Sequence, residues 1–446
     1  MPSHLQLKQL LLDAGFHEST AIGRSAAFVG CLEALGNSRD LQAWWVPGRI
    51  EVLGKHTDYA GGNSLLCATD LGAAFVAGRR NDQTVTVLDR RSGEQAEFQV
   101  GSELETETGE WTNYPKTVAR RLSANFGSLQ GADIVFESNI PLAAGMSSSS
   151  VLVVAFATVL MDLNDISSRP EYLENISGLE SLSEYLGTIE NGQTFGTLVG
   201  DQGVGTFGGS EDHTAICCSS PGHLKQYAFC PVKHVETIPF PEQYGFVVAS
   251  SGVVAEKTGA ALADYNRASL LARETARVLS DTSGGDYRHL ADAMRDGDLV
   301  HLRGVLSSAV YPDGFRKEDL LDRLNQFAAE STDFIPRAAQ ALRAEDMVGF
   351  GAAVSESQAM GARLLKNQVE QTEWLAGEAE RLGAITASAF GAGFGGSVYA
   401  IVSLDALEAF REAWSESYRS KYPSQASDSA FATTLPGPSA FKLKLA

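Results

Sequence analysis

Between residues 132 and 161 the chain runs from a strand-like stretch, Ala132-Asp-Ile-Val-Phe-Glu-Ser-Asn-Ile140, through Pro141-Leu-Ala-Ala-Gly-Met-Ser-Ser-Ser-Ser150, into an apolar run, Val151–Met161. The apolar run reads as a buried helix and the stretch before it as a strand, so the chain needs an α/β layer thick enough to enclose both. A glycine- and serine-rich turn from strand to helix leaves backbone N–H groups unpaired at the helix N-terminus. Those amides and the helix dipole favour an anion, phosphate above all. Four consecutive serines alone would read as a polar linker, but a solvated linker is not hemmed between apolar segments. No Gly-x-x-x-x-Gly-Lys-Ser/Thr string occurs, nor do the catalytic-loop and metal-binding strings of protein kinases. A phosphate-handling enzyme built on this turn belongs to neither of those classes.

A chain of 446 residues suits two domains, placed at about 1–240 and 241–446. Its formal net charge of −20 argues against nucleic acid or an anionic membrane as partner. A nucleotide is not excluded, because local amides, a metal and one or two cations decide its binding. The polar, amphipathic N-terminus is unlike a signal peptide, and the longest apolar run, 151–161, falls short of the roughly twenty residues that cross a bilayer. Cys31, Cys67, Cys217, Cys218 and Cys230 lack Cys-x-x-Cys spacing, so reduced thiols and a cytoplasmic location are expected. Cys217 and Cys218 read as small buried residues in a strand.

Periodicity predicts helices at 4–15, 18–36, 111–125 and 169–191, with strands at 65–79, 84–89, 95–100 and 132–140. A strand at 243–251 opens the second half, followed by helical patterns at 253–281, 286–308, 316–344 and 346–382. Strands at 385–390 and 397–402, a helix at 405–422 and a strand at 440–445 complete an α+β pattern. Residues 423–438, rich in Ser, Ala, Thr and Pro, read as a loop.

Arg49, Lys55, His56, Asp58 and Tyr59 fall within eleven residues, between Gly48 and the pair Gly61-Gly62. So dense a polar set reads as a recognition loop for a ligand with several hydroxyls, since carboxylates and imidazoles meet vicinal hydroxyls in fixed directions. The plainer alternative is a solvated turn in which Asp58 caps and Gly61-Gly62 reverses the chain. A third glycine-rich stretch, Gly391-Ala-Gly-Phe-Gly-Gly-Ser397, lies near the chain's end. Gly203-Val-Gly-Thr-Phe-Gly208 satisfies Gly-x-Gly-x-x-Gly but lacks the flanking strand, helix and ribose-binding acid of a dinucleotide site.

Pro47–Gly62 closely resembles the sugar-binding signature of galactokinases. Pro141–Ser150 resembles the ATP-binding motif of the wider GHMP family of galactokinase, homoserine, mevalonate and phosphomevalonate kinases, and Phe390–Ser397 resembles its third motif. The resemblance implies a two-domain α+β GHMP kinase fold, with an N-terminal domain like domain 2 of ribosomal protein S5 and a ferredoxin-like α/β C-terminal domain. It implies a sugar 1-kinase, galactose foremost, acting on a small-molecule sugar and ATP with Mg2+, as a monomer or homodimer. By the same resemblance, ATP contacts fall to Pro141, Ala144, Gly145, Met146, Ser147, Ser148, Ser149, Ser150, Gly391, Gly393, Gly395 and Gly396. Sugar contacts fall to Lys55, His56, Asp58, Tyr59, Gly209 and Tyr265, and magnesium to Ser149 and Glu190. Family members carry a catalytic aspartate in a Gly-x-x-Asp context some ten residues before a Gly-His. Gly209-Ser-Glu-Asp212 before Gly222-His223 therefore makes Asp212 the general base, with Asp201 as the other candidate and Arg49 as the cation beside the base.

The sequence departs from the pattern at Lys55, where galactokinases have glutamate, at Glu51, usually asparagine, at Leu66, commonly proline, and at His213, usually glutamine. An ammonium can only donate where a carboxylate would accept, so Lys55 either pairs with the carboxylate of a uronic acid or donates to a hydroxyl of a neutral sugar. A catalytically silent sugar sensor, or a kinase for homoserine or mevalonate, are the remaining readings.

Overall fold

The structure, a computed structural model, describes residues 2–36, 40–107, 110–141, 146–253 and 260–445, with the side chains of 260–265 outside the description. Two long strands, β1 (Gln42–Leu53) and β2 (Asn63–Arg79), pair antiparallel and anchor an eight-stranded sheet. β3 (Thr84–Asp89), β4 (Gln95–Gln99) and β5 (Ala132–Ser138) extend one side in the order β2-β5-β3-β4. β6 (His223–Ala228) pairs with the start of β2, and β7 (Lys233–Pro239) pairs with β6.

Successive side chains of a strand point to opposite faces, and here both faces are covered. Trp45, Ala74 and Val76 pack on one side against Leu7, Leu11 and Phe28 of the helices His4–Asp13 and Glu18–Leu35. Trp44, Ala73 and Phe75 pack on the other side, in one core with Val154, Phe156 and Leu160. Burial on both faces explains why β2 reads as a continuous run rather than an alternating one. The helix Ser148–Leu163 is apolar all round because the sheet lies on one flank and the helices Asn113–Phe126 and Leu179–Asn191 on others.

The second sheet is antiparallel, in the order β11-β8-β10-β9: β8 (Tyr244–Ser250), β9 (Thr386–Phe390), β10 (Ser397–Ser403) and β11 (Ala430–Thr434). The helices Glu370–Arg381 and Leu407–Lys421 cover one face through Leu375, Trp414 and Tyr418. Its other face turns Phe246, Phe390 and Tyr399 into the core of the first sheet, and the Tyr399 hydroxyl donates to the Val52 carbonyl at 2.7 Å. The last strand, β12 (Phe441–Leu443), returns to the first sheet beside β1.

Three local expectations are corrected. Arg49 and Glu51 lie in the buried strand β1 and not in a loop; a polar residue enters such a strand only when its partners are buried with it. Cys217 and Cys218 end a helix, Glu211–Cys218, packed against Leu179–Asn191; eight residues are too few for a helical period to stand out. Residues 430–434, read as loop, form β11 because the edge of β8 offers them a ladder. Among the described residues no helix is long and apolar enough to cross a membrane.

Candidate active site

β1 carries Arg49. A register shift against β2 between Pro47 and Arg49 bends the strand there, and the guanidinium lies 5.5 Å over the Phe390 ring. Its Nε donates to Asp212 Oδ1 at 2.7 Å; the arginine side chain is 3% exposed and the aspartate 28%. Asp212 is thus the open end of the pair, in the first turn of the helix Glu211–Cys218. Its other oxygen accepts from the Ser147 hydroxyl and lies 3.4 Å from Ser150 Oγ. Burial pushes this carboxyl upward, but the Arg49 charge and hydrogen bond, together with Ser147, outweigh it and hold the group well below the usual carboxylate range.

The serine turn closes the opposite side. Ser147 adopts a left-handed conformation, φ 60° and ψ 42°, which starts the helix Ser148–Leu163 and swings its hydroxyl toward Asp212. Ser150 Oγ donates to Glu190 Oε2 at 2.8 Å, and His213 Nε2 lies 3.2 Å from the same oxygen. Ser149 and Glu190 both bear on the Tyr114 hydroxyl, so hydroxyls and a carboxylate converge at this helix end. Met146 is wholly buried in the core, Ser148 is exposed, and Ala144 and Gly145 lie outside the described residues. Pro141, half-buried, ends the described approach to the turn.

The remaining polar residues of the first motif stand behind Arg49. His56 is held neutral: burial, then the nearby Arg323 charge, pull its pKa down to about 4. Its Nε2 lies 3.1 Å from both the Ala392 carbonyl and Asn367 Nδ2, and its Nδ1 lies 2.7 Å from the Tyr59 hydroxyl. Asp58 Oδ2 accepts from the Glu211 amide at 3.2 Å. A Cβ at Gly209 would come within 2.2 Å of that oxygen, so only glycine lets the two segments meet. The third glycine-rich stretch joins β9 to β10 against this loop; Gly391, Gly393, Gly395 and Gly396 all have positive φ, and the Gly391 amide donates to Glu51 Oε2 at 3.3 Å.

Lys55 is placed differently from a substrate contact. It is 3% exposed, and Nζ donates to Ser388 Oγ at 2.7 Å and Ser357 Oγ at 3.1 Å, inside the protein. The uronate reading loses its structural support, since no carboxylate of a sugar needs to enter this interior. Asp201 pairs with Arg120 Nε at 2.8 Å and lies 3.7 Å from Arg121, so the second candidate base is engaged away from Arg49. The side chain of Tyr265 lies outside the described residues. Sequence reasoning noted Glu51 only as a departure from the family pattern and missed Glu211, Glu330 and Arg323, and all four are buried around the motif. Burial, before any other cause, raises Glu51 and Glu211 above the ordinary carboxylate range, and each glutamate's charge or hydrogen bond bears on the other.

Residues 113–192 match the GHMP kinases N terminal domain, residues 338–420 the GHMP kinases C terminal domain, and residues 33–79 the galactokinase galactose-binding signature. The chain belongs to the GHMP kinases. This kinase is 28% identical to the galactokinase of Chloroflexus aurantiacus over 375 residues, covering 83% of this chain and 86% of that one. It is 25% identical to the galactokinase of Fusobacterium nucleatum over 401 residues, covering 87% and 92%. Its fold superposes on the crystal structure of Lactococcus lactis galactokinase complexed with galactose with a TM-score of 0.75 at 24% identity, over 94% of this chain and 99% of that one. The mevalonate kinase of Methanococcus jannaschii gives 0.53 at 12% identity, over 90% and 99%. The kinase is a galactokinase-like phosphotransferase with an alcohol group as acceptor and ATP as co-substrate.

Proposed function

We propose that this kinase transfers the γ-phosphoryl group of ATP to the C1 hydroxyl of galactose, giving galactose 1-phosphate and ADP. The supporting observation is the bridge from Arg49 through Asp212 to the Ser147 hydroxyl, which joins β1 to the helix N-terminus in one hydrogen-bonded chain. In this reading the sugar hydroxyl donates to Asp212, which orients it in line with the γ-phosphorus. A carboxylate so firmly ionised is a weak base, so it takes the proton late, as the new O–P bond forms and the hydroxyl acidifies. Arg49 keeps Asp212 ionised and offsets charge on the transferring group. The amides opening the helix Ser148–Leu163 cradle the phosphates.

Glu190 and Ser149 offer hard oxygen donors of the kind magnesium takes, and these two would hold it. Bound there with ATP, magnesium would neutralise charge on the β- and γ-oxygens. Among the described residues no group of three or more His, Cys, Asp or Glu is placed to hold a metal. A cytoplasmic location belongs to the same proposal.

The test is ADP release by purified protein with ATP, magnesium and galactose, with the product identified by phosphorus NMR. Sugar-dependent ADP release with galactose 1-phosphate as product is expected. Sugar binding without turnover on galactose or any other hexose would replace this reading with that of a sensor.

A further inference from the structure

The helix Lys317–Ala329 and the π-turn Glu330–Phe334 that continues it present Arg323, Gln326 and Glu330 on one face, each at most 1% exposed. Each takes one backbone group of the first motif. Glu330 Oε2 accepts from the Gly54 amide at 3.2 Å, Gln326 Nε2 donates to the Lys55 carbonyl at 2.9 Å, and Arg323 donates to the His56 carbonyl. Three consecutive residues are therefore gripped from the second half of the chain. The Lys55 side chain completes the grip: its ammonium donates to Ser357 Oγ, and that hydroxyl donates to Glu330 Oε1. The stem is enclosed as well, since a Cβ at Gly361 would come within 3.0 Å of Lys55 Cδ.

Swinging Lys55 out to a substrate would take from Glu330, wholly buried, the stronger of the two cations that compensate it, Arg323 being the other, and an undercompensated buried charge is unfavourable. We propose that Lys55 is a positioning residue which, with Glu330, Gln326 and Arg323, clamps the backbone from which His56, Asp58 and Tyr59 project, so that the site selects an uncharged sugar over a uronic acid. This rests on the sugar-kinase reading and deepens it by naming the substrate class.

The test is steady-state kinetics of the full chain and of Lys55→Met, Glu330→Gln and the double variant, with galactose and galacturonate at saturating ATP. Thermal unfolding of each variant is followed in parallel. The wild type is expected to favour galactose by about 100-fold or more in kcat/KM, because Lys55 is committed to Ser357 and Ser388 and supplies no charge to compensate a buried sugar carboxylate. Each single variant should raise the KM for galactose by about 10-fold or more, with a smaller change in kcat and the KM for ATP unchanged. The double variant should be less impaired than the product of the singles, because neither charge is then left alone. If Glu330→Gln does not fold, Gln326→Leu removes only the bond to the Lys55 carbonyl and should raise the same KM several-fold.

A wild type that prefers galacturonate, with Lys55→Met reversing the preference, would put the ammonium on the substrate and overturn the proposal. Single variants with unchanged KM, or effects that multiply without coupling, would dismiss the clamp. If no sugar is turned over, the functional reading fails by itself. Calorimetric binding of the two sugars to the same variants then decides on the clamp.

Discussion

Asp201 and Asp212 both pair with arginine at almost the same distance, 2.8 Å to Arg120 and 2.7 Å to Arg49, and both are partly open, at 21% and 28% exposure. Only their surroundings differ. Asp201 turns its other oxygen to the Gly203 amide at 2.9 Å and has Arg121 at 3.7 Å, so it fastens its loop to the helix Asn113–Phe126. Asp212 turns its other oxygen to the serine turn, at the start of a helix whose first amides suit phosphate. An ion pair marks a reacting site when the remaining face of its acid looks toward a place where substrate and phosphate can meet, and distance between charges does not tell the two apart.

The largest effect that sharpens this contrast is on turnover. Asp212→Ala should lower kcat by about 10²–10⁴-fold while leaving the folded state near wild type in circular dichroism, which activity assays on the purified variant check. A variant within tenfold of wild type would move the base elsewhere. Arg49→Ala should follow, at about 10²-fold in kcat/KM, with a shift in pH dependence. Without the guanidinium, burial is left to push the Asp212 carboxyl upward, so it protonates at a higher pH and the acid limb of kcat/KM moves to higher pH than in the wild type. A pH–rate profile from about pH 4 to 8 reads this directly.

Asp201→Asn should give the opposite pattern, with kcat within about twofold of wild type but stability lower by about 1–3 kcal/mol, because Arg120 and Arg121 lose their shared anion. Urea unfolding measures it, and a large loss of kcat without loss of stability would erase the distinction between the two pairs. The smallest effect belongs to Glu51, beside Arg49 in β1. Its carboxyl is raised by burial, so the protonated form suits the folded state, and the stability it contributes at low pH is lost as pH climbs past the ordinary glutamate range. Glu51→Gln should therefore be stabilising by about 1–2 kcal/mol at pH 8 and nearly neutral at pH 4, which melting temperatures at the two values would show.

Much of the architecture was legible in residue patterns. Long periodic helices such as Glu18–Leu35 and Asn113–Phe126, and strands such as β3, lie close to where periodicity placed them, whereas the pattern at 346–382 divides into Met347–Leu364 and Glu370–Arg381. The elements that escaped were those whose signal comes from a neighbour. β11 owes its form to the free edge of β8, and the helix Glu211–Cys218 is too short for its period to show. The motifs were likewise readable as strings, and Asp212 and Arg49 could be named from them, but not that Arg49 sits within a strand.

Local sequence determined what short-range chemistry can encode: glycines where backbone must turn or approach closely, serines at a helix start, and an apolar run that has to be enclosed. Tertiary structure alone decided which way each charged side chain faces. The same lysine, read as a hand held out to substrate, is drawn inward to Ser357 and Ser388 from far along the chain. The physical reason is that the cost of burying a charge depends on partners distant in sequence, and no local pattern records where the fold will bring them.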